Sequence, residues 1–376
     1  MKKLLIPILM LISLSLHAQK SNFWQKVNNT LTVVKNIDTT YIYHPKQSFT
    51  LGVFTTLQQA GFHLNVNFKI YSDEYPINGE TQYTIQEKLS SKLGLELGYG
   101  KLALGYGFEV GPKSAYKKKA FAFGLIGKSW GVHFNYFKIN NPFQSSLIMW
   151  DEQDDDYMCD IIIPKEHATL NSLAIEGYYI FNNKKFFYPA TYKACLVQRR
   201  TAGSWIVAGR YMQGGIYNSP TAAFDSYNLL DCFSTLQVSL GGGYSGNIVC
   251  WHKDPKNSKD KGLRNITINI TAMPVLTVVN YLKTYLYQFD DNEYLSGLKI
   301  SKIFCYPIPN FIANSALGIT LDRFFISAQF TYNYFFYHSS SAFNAKKLQI
   351  PDYVDDISFH GSFHDWNMKI LFTYKF

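Results

Sequence analysis

The sequence predicts an all-β protein, a closed antiparallel transmembrane β-barrel with an even strand number, 12 to 14, behind a short N-terminal helix. Three observations predict it. Apolar residues recur at every second position along most of the chain, and 17% of the residues are aromatic. After residue 18 no stretch is apolar for long enough to form a membrane-spanning helix. Because lipid offers no hydrogen-bond partner to a strand edge, such a sheet must close. A water-soluble exported β-sandwich is the competing class, and composition alone does not exclude it.

The first 18 residues have the pattern of a cleavable secretory signal peptide. Lys2 and Lys3 precede an apolar run from Leu4 to Leu16, and Ala18 is a small residue before the expected cut. We therefore divide the chain into a signal peptide (1–18), a periplasmic helix and lead-in (19–45) and an outer-membrane barrel (46–376).

The segment 21–34 predicts a short amphipathic helix on the periplasmic side. Its apolar residues follow one another at intervals of four, four and three, which places them on one helical face. These residues are Phe23, Val27, Leu31 and Val34.

The charge balance points to lipid rather than nucleic acid. Without Lys2 and Lys3 the chain has 34 basic and 27 acidic side chains, a net charge of +7. In an exported chain we expect such a balance to meet lipid headgroups, lipopolysaccharide or a polar lumen. The five cysteines show no metal-binding or disulfide spacing, and we expect no cofactor.

Strands with a period of two begin near residue 48. In 62–70 every second residue is apolar, and 93–110 reads as a hairpin that turns at Gly100 and Lys101. The same pattern recurs in 119–126, 130–139, 171–181, 203–212, 235–243, 264–273 and 324–336, and more weakly in 48–57, 185–197, 297–305 and 315–321.

The last eleven residues, 366–376, form the clearest predicted strand. Even-numbered positions are apolar from Trp366 to Phe376, and the odd-numbered ones are polar apart from Leu371. At about 3.3 Å per residue and a 45° tilt this strand rises roughly 26 Å, which matches the hydrocarbon layer. Phe372, Tyr374 and Phe376 make up the expected signal for the outer-membrane insertion machinery, with the even-numbered face toward lipid.

The connections predict how the barrel is oriented. Tight turns at 100–101, 127–129, 182–184 and 322–323 suit the periplasmic side. The longer segments 140–170 and 337–364 suit the outside.

Two acidic or histidine-bearing segments raise the question of a metal. The six carboxylates between Asp151 and Asp160 could gather a hard cation, but a solvated acidic loop is the simpler interpretation. His360 and His364 have the spacing of a zinc pair on a helix, although Gly361 favours a loop. We assign no metal site and no catalytic site from the sequence.

The glycine-rich segment 241–246 matches a dinucleotide-binding pattern only literally. The residues that follow it read as a strand rather than a helix, so its glycines are better explained by close approach within a curved sheet.

Charged residues in the strands are candidates for the lumen. Arg199, Arg200 and Arg210 could hold an anionic solute, or they could pair with carboxylates such as Glu96 and Glu109 and fill the interior.

Several short motifs carry a resemblance to a known family. They are the segments 38–42 and 199–204, Phe181 with Lys185 and Phe186, the triplet 188–190, and the glycine-rich hairpin 94–107. On these residues the chain resembles an uncharacterised family of Bacteroidota outer-membrane barrels, known as a domain of unknown function, from about residue 37 onward. The resemblance implies a barrel in the outer membrane of a Gram-negative cell and implies no activity.

Three functions remain open on the sequence alone. The leading hypothesis is a non-enzymatic barrel, either a narrow channel or a structural or assembly component of an envelope complex. The alternative is an outer-membrane lipid-modifying enzyme, suggested by the histidines near the C-terminus and the membrane setting.

Replacing both Tyr374 and Phe376 by serine should block insertion, because the strand then ends without its aromatic residues. The measurement is the amount of folded, heat-modifiable protein in isolated outer membranes, compared with an Asn367→Ser variant of the same strand. Normal amounts of folded protein in the double variant would refute the prediction.

Overall fold

The computed structural model describes residues 36–45, 49–71, 76–87, 89–110, 117–140, 143–151, 157–164, 169–217, 232–256, 262–289, 295–340 and 354–376. Its strands are β1 (Ile42–Tyr43), β2 (Phe49–Tyr71), β3 (Pro76–Glu87), β4 (Ser90–Tyr99), β5 (Leu102–Glu109), β6 (Lys117–Ile126), β7 (Trp130–Asn140), β8 (Phe143–Asp151), β9 (Tyr157–Pro164), β10 (Thr169–Ile180), β11 (Val197–Gln198), β12 (Ala202–Tyr217), β13 (Cys232–Lys253), β14 (Arg264–Phe289), β15 (Leu295–Phe304), β16 (Ile308–Leu321), β17 (Phe324–Ser340) and β18 (Val354–Lys375).

Twelve antiparallel strands within this described part close into a barrel, as the sequence predicted. The ring runs β2, β4, β5, β6, β7, β10, β12, β13, β14, β16, β17 and β18. It closes because β18 pairs with β2 from Lys375 opposite Thr50 up to Val354 opposite Ile70. Each of these twelve described strands therefore has a hydrogen-bonded neighbour on both sides.

The remaining long strands extend the wall at one end of the barrel. β3 pairs with the second half of β2, then β8 pairs with β3 and β9 with β8. On another side β15 pairs with the end of β14. β14 has 26 residues, which at about 3.3 Å each and a 45° tilt rise roughly 60 Å, twice the thickness of a hydrocarbon layer.

The barrel has a turn end and a loop end. Gly100 and Asp322, both with positive φ, form two of the short turns at the turn end, and 127–129 forms another. The chain enters the ring at Phe49 and leaves it at Lys375 at the same end. The predicted turns at 100–101, 127–129 and 322–323 are confirmed.

The structure corrects a predicted turn and a weak predicted strand, and it places strands within two segments that were expected on the outside. The expected tight turn 182–184 and the weak strand 185–197 belong instead to one long connection, 181–201, that folds back toward the barrel axis. Much of 140–170 and of 337–364 is strand rather than loop, because β8, β9, the end of β17 and the start of β18 lie there. Residues 152–156 of the acidic segment lie outside the described residues.

Side chains alternate between the two faces of the wall except at β-bulges such as Val278 and Val279. In β14 the buried positions run Asn265, Thr267, Asn269 and Thr271, while Ile270 between them is 56% exposed. In β18 Leu371, Thr373 and Lys375 are buried, and the even-numbered apolar residues between them face outward. The barrel is therefore polar inside and apolar outside, the reverse of a water-soluble barrel.

The glycine-rich segment lies within β13, which confirms the strand interpretation. A methyl group at Gly243 would approach the backbone oxygen of Ala272 to 2.1 Å. At Gly243, β14 therefore lies closer to β13 than a residue with a side chain would allow.

Helical structure is scarce in the described residues. A 3-10 helix, Tyr188–Thr191, lies in the connection 181–201, and no helix there is long and apolar enough to cross a bilayer. The predicted signal peptide 1–18 and helix 21–34 lie outside the described residues.

Candidate functional site

The connection between β10 and β12 occupies the barrel interior at the turn end. We call residues 182–200 the plug segment. Phe186, Phe187, Leu196 and Val197 are buried within it, and Pro189 starts its 3-10 helix. Pro189 also breaks strand geometry, so this apolar stretch packs inward as an irregular segment rather than joining the wall.

Polar side chains of the wall hydrogen-bond to the backbone of the plug segment. Asn247 donates to the carbonyl oxygen of Phe187 at 2.8 Å, and Gln329 donates to that of Tyr192 at 3.1 Å. Ser327 donates to the carbonyl oxygen of Thr191. Since irregular backbone in the lumen has no strand partner, these side chains supply the donors that it needs.

Tyr192 connects the plug segment to a polar ladder on β13 and β14. Its hydroxyl donates to Asn269 at 2.8 Å, and Asn269 in turn donates to Asn247 at 2.8 Å. Ser245 and Thr271, next to them, lie 2.7 Å apart between their hydroxyl oxygens. All of these wall residues are buried, so the ladder forms one hydrogen-bonded network across two strands.

Three charges form the central ion cluster, which consists of Glu96, Lys193 and Lys369. The two Glu96 oxygens each lie 2.6 Å from one lysine Nζ, Lys193 on the plug segment and Lys369 on β18. Glu96 itself lies on β4, and Lys369 also lies over the ring of Phe54 at 4.5 Å. The cluster therefore joins the plug segment to β4 and β18, the two strands that flank β2 in the wall.

An apolar layer lies in the lumen above the plug segment. Phe335 of β17 is fully buried against Ile206 of β12 and Met273 of β14, and Tyr188 packs against the same group. Residues from β12, β14 and β17 therefore meet inside the barrel with Tyr188 of the plug segment. Such packing narrows the lumen at this height.

The chain that enters the barrel clamps the plug segment from below. β1 pairs with β11, and Ile42 is buried with Phe187 and Leu196. The buried side chain of Gln198 donates to the carbonyl oxygens of Lys185 at 2.7 Å and Arg200 at 3.0 Å. The plug segment is therefore held by the wall and by the lead-in together.

The structure separates the five charged residues proposed for the lumen. Glu96 lies in the central ion cluster, and Arg210 lies inside the barrel over the ring of Phe335, its Nε 3.2 Å from Glu176. Glu109 is half-buried at the end of β5.

Arg199 and Arg200 are not on barrel strands. They end the plug segment at the turn end, where Arg199 pairs with Asp254 and Arg200 lies over the ring of Tyr41. Burial acts to raise the pKa of Asp254, but hydrogen bonds from His252 and Arg199 hold this pKa below its usual value.

The three residues of the predicted insertion signal lie at the turn end of β18. Phe372 and Phe376 are exposed on the outer face. Tyr374 packs edge-on against both Phe324 and Phe376, with ring centroids 5.2 and 4.9 Å away.

A small cavity lies between the plug segment and the wall. Its volume is about 40 Å³, and Glu96, Lys193, Cys195 and Thr373 are among its lining residues. That space suits a few water molecules rather than an organic substrate. Burial raises the pKa of the Cys195 thiol to about 11, so the thiol stays protonated and unreactive.

Sequence reasoning missed the plug segment although signals for it were present. Residues 182–200 lack a period of two and contain Pro189, and both features argue against a wall strand. The short motifs behind the family resemblance, 38–42, 185–190 and 199–204, fall on the plug segment and its clamp or directly beside them. Lys193 carried no local signal, because its partner Glu96 is 97 residues away along the chain.

Comparisons with known proteins identify a family and a distantly similar solved structure. A family model described as a domain of unknown function (DUF4421) matches residues 36–253. No curated protein sequence matches the chain. Among solved structures, the crystal structure of the outer membrane protease OmpT from Escherichia coli is similar with a TM-score of 0.42 and 7% identity, covering 87% of this chain and 97% of that chain. A similarity this low supports no inference about activity.

Replacing Glu96 by glutamine should destabilise the barrel by about 2–4 kcal/mol, since two largely enclosed lysines, each 19% exposed, then lose their counter-charge. Denaturant unfolding in detergent measures the change, and limited proteolysis within 182–200 reports release of the plug segment. A triple variant with Lys193→Gln and Lys369→Gln added should recover much of the loss. Equal stability of wild type and E96Q would contradict the electrostatic role of the cluster.

Proposed function

Because the chain belongs to the DUF4421 family, whose description assigns no activity, we propose its function from the barrel itself. It is an integral outer-membrane barrel of a Gram-negative envelope whose lumen is sealed, and it serves as a structural or assembly component rather than as an open channel. The plug segment, held by the central ion cluster, is the observation that carries this proposal.

The outer face of the barrel supports a membrane location. Large apolar side chains are exposed on strands all around the ring, including Leu95, Ile175, Val207, Leu240, Ile270, Leu317 and Ile370. A continuous apolar surface of this extent would aggregate in water and is stable in lipid.

An aromatic girdle supports the same location. Exposed aromatic residues gather on the outer face near the turn end, among them Trp130, Tyr179, Phe181, Trp205, Phe324 and Phe376. Aromatic side chains prefer the boundary between hydrocarbon and headgroups. We therefore assign the turn end to the periplasm and the extended wall at the loop end to the outside.

The filled lumen favours a sealed barrel over a narrow channel. A twelve-stranded ring is wide enough to leave space inside, but here that space holds the plug segment and the apolar layer around Phe335. A solute would have to displace both.

The partners expected from the sequence accord with this orientation and remain proposals. They are the insertion machinery, which would read the β18 terminus, outer-membrane lipids and lipopolysaccharide around the wall, and a periplasmic protein of an envelope complex at the turn end. We propose no nucleic-acid partner for a barrel in the outer membrane. The Bacteroidota origin and the alternative of a lipid-modifying enzyme also remain predictions.

Purified wild-type protein should give no stable conductance in planar bilayers. The double variant Tyr188→Ala with Phe335→Ala should give conductance steps, because it removes rings that fill the lumen. The matched control is Phe336→Ala, which shortens the adjacent, outward-facing side chain of the same strand. Regular open steps from the wild type would refute the sealed barrel.

A photo-crosslinker introduced at Arg200, at the turn end, should capture a periplasmic protein reproducibly in intact cells. The comparison position is Lys138, an exposed residue at the loop end of β7. Recovery of the uncrosslinked chain alone from both positions, identified by mass spectrometry, would count against an envelope complex.

A further inference from the structure

Four histidines gather on the outer face of the barrel, just beyond the apolar band. We call His63, His338, His360 and His364 the outer histidine patch. They lie on the neighbouring strands β2, β18 and β17. The patch plays no part in sealing the lumen, and its chemistry is independent of the proposed structural role of the barrel.

Strand alternation shows that the patch faces outward. In β17 the flanking Tyr337 and Ser339 are buried inside and Phe336 is exposed outside, so His338 shares the outer face. In β18 His360 and His364 have the parity of the exposed Met368 and Ile370. In β2 His63 has the parity of the exposed Leu51, Val53 and Leu57.

The patch is made of two cross-strand pairs. His338 is directly opposite His360 in the register, and their ring centroids are 4.3 Å apart. His63 is opposite Ser362 and stacks on His364 with centroids 5.8 Å apart. The sequence suggested His360 and His364 as one pair, but four residues along a strand separate them by about 13 Å, and each has a different partner.

The surroundings hold both pairs in place. A methyl group at Gly61 would approach the His364 ring to 2.4 Å, so the missing side chain leaves room for this imidazole to lie across β2. Tyr306 stacks on His338 with centroids 5.2 Å apart. The Nδ1 atom of His338 is buried and, within the part of the chain that the structure describes, lacks a hydrogen-bond partner.

The height of the patch is set by Trp366 and Gln59. These residues are opposite each other one step below His364, and the indole nitrogen donates to the Gln59 side chain at 3.3 Å. On β2 and β18 the outer face below them is largely apolar, and above them it carries three of the histidines, while β17 has Phe336 exposed beside His338. His63 and His360 are exposed and His338 and His364 are half-buried, so the patch is reachable from water next to the lipid surface.

We propose that each histidine pair binds one divalent transition-metal ion, Cu²⁺ more tightly than Zn²⁺, on the outer face of the wall. Two imidazoles at metal–nitrogen distances of about 2.0–2.1 Å place their ring centroids roughly 4.5–6 Å apart for coordination angles of about 90–130°. The His63–His364 pair lies within this range, and the His338–His360 pair needs its rings to move apart only slightly. Imidazole nitrogen suits these ions, and Cu²⁺ binds most tightly among them.

Each site is open rather than caged. Among the described residues no group of three or more His, Cys, Asp and Glu side chains gathers as a metal site. Each ion therefore has two protein ligands, and water takes its remaining positions. Such a site exchanges metal readily and suits capture of ions at the cell surface.

Equilibrium dialysis of the purified, folded barrel against Cu²⁺ and, separately, Zn²⁺ tests the proposal. Two Cu²⁺ ions should bind per wild-type chain. His360→Ala and His364→Ala should each lose one ion, and a variant lacking all four histidines should lose both. His252→Ala is the control, because that histidine pairs with Asp254 at the turn end and its loss should leave both ions bound.

Electron paramagnetic resonance of bound Cu²⁺ provides a second measurement. Nitrogen hyperfine coupling from two imidazoles is expected in each single variant that retains one pair, and heat-modifiability confirms that every variant is folded. Unchanged copper binding after removal of all four histidines, or a copper spectrum without nitrogen coupling, would overturn the proposal.

Discussion

The pairing of Glu96 with two lysines is the interaction on which the interior depends. A carboxylate as buried as that of Glu96 is stable only when charges and hydrogen bonds surround it. Its partners come from distant parts of the chain, Lys193 from the plug segment and Lys369 from β18. The same carboxylate therefore holds the plug segment in the barrel and links it to the strand that closes the ring.

Around this cluster the interior is filled in two different ways. The plug segment is irregular, so its backbone needs partners that a sheet would otherwise supply, and Asn247, Ser327 and Gln329 provide them. Higher up, the polar ladder gives way to the apolar layer at Phe335, which needs no such partners. Hydrogen bonds hold the plug segment at the turn end, and close apolar packing occupies the space above it. Together they explain why a ring wide enough for a channel holds so much protein inside.

The outer face obeys a different constraint, set by what surrounds it. Lipid requires apolar side chains along the spanning part of each strand, and the strands continue well beyond that thickness. Where Trp366 meets Gln59 the requirement ends, and above them the outer face of β2 and β18 carries His63, His364 and His360. On β17 Tyr334 and Phe336 come before His338. One alternation of side chains thus yields an apolar band and, above it, a polar surface with paired imidazoles.

The local pattern of apolar and polar residues determined the strands and the fold class of this protein. A period of two in β14 and β18 specified strands and their outward faces, and the need to satisfy backbone groups in lipid specified closure with an even strand number. Tertiary structure alone decided the exact count of twelve, the inward fold of residues 182–200 and the partners of Glu96. It also matched His360 with His338 and His364 with His63. Register and loop path depend on contacts between residues far apart in sequence, which no local period encodes.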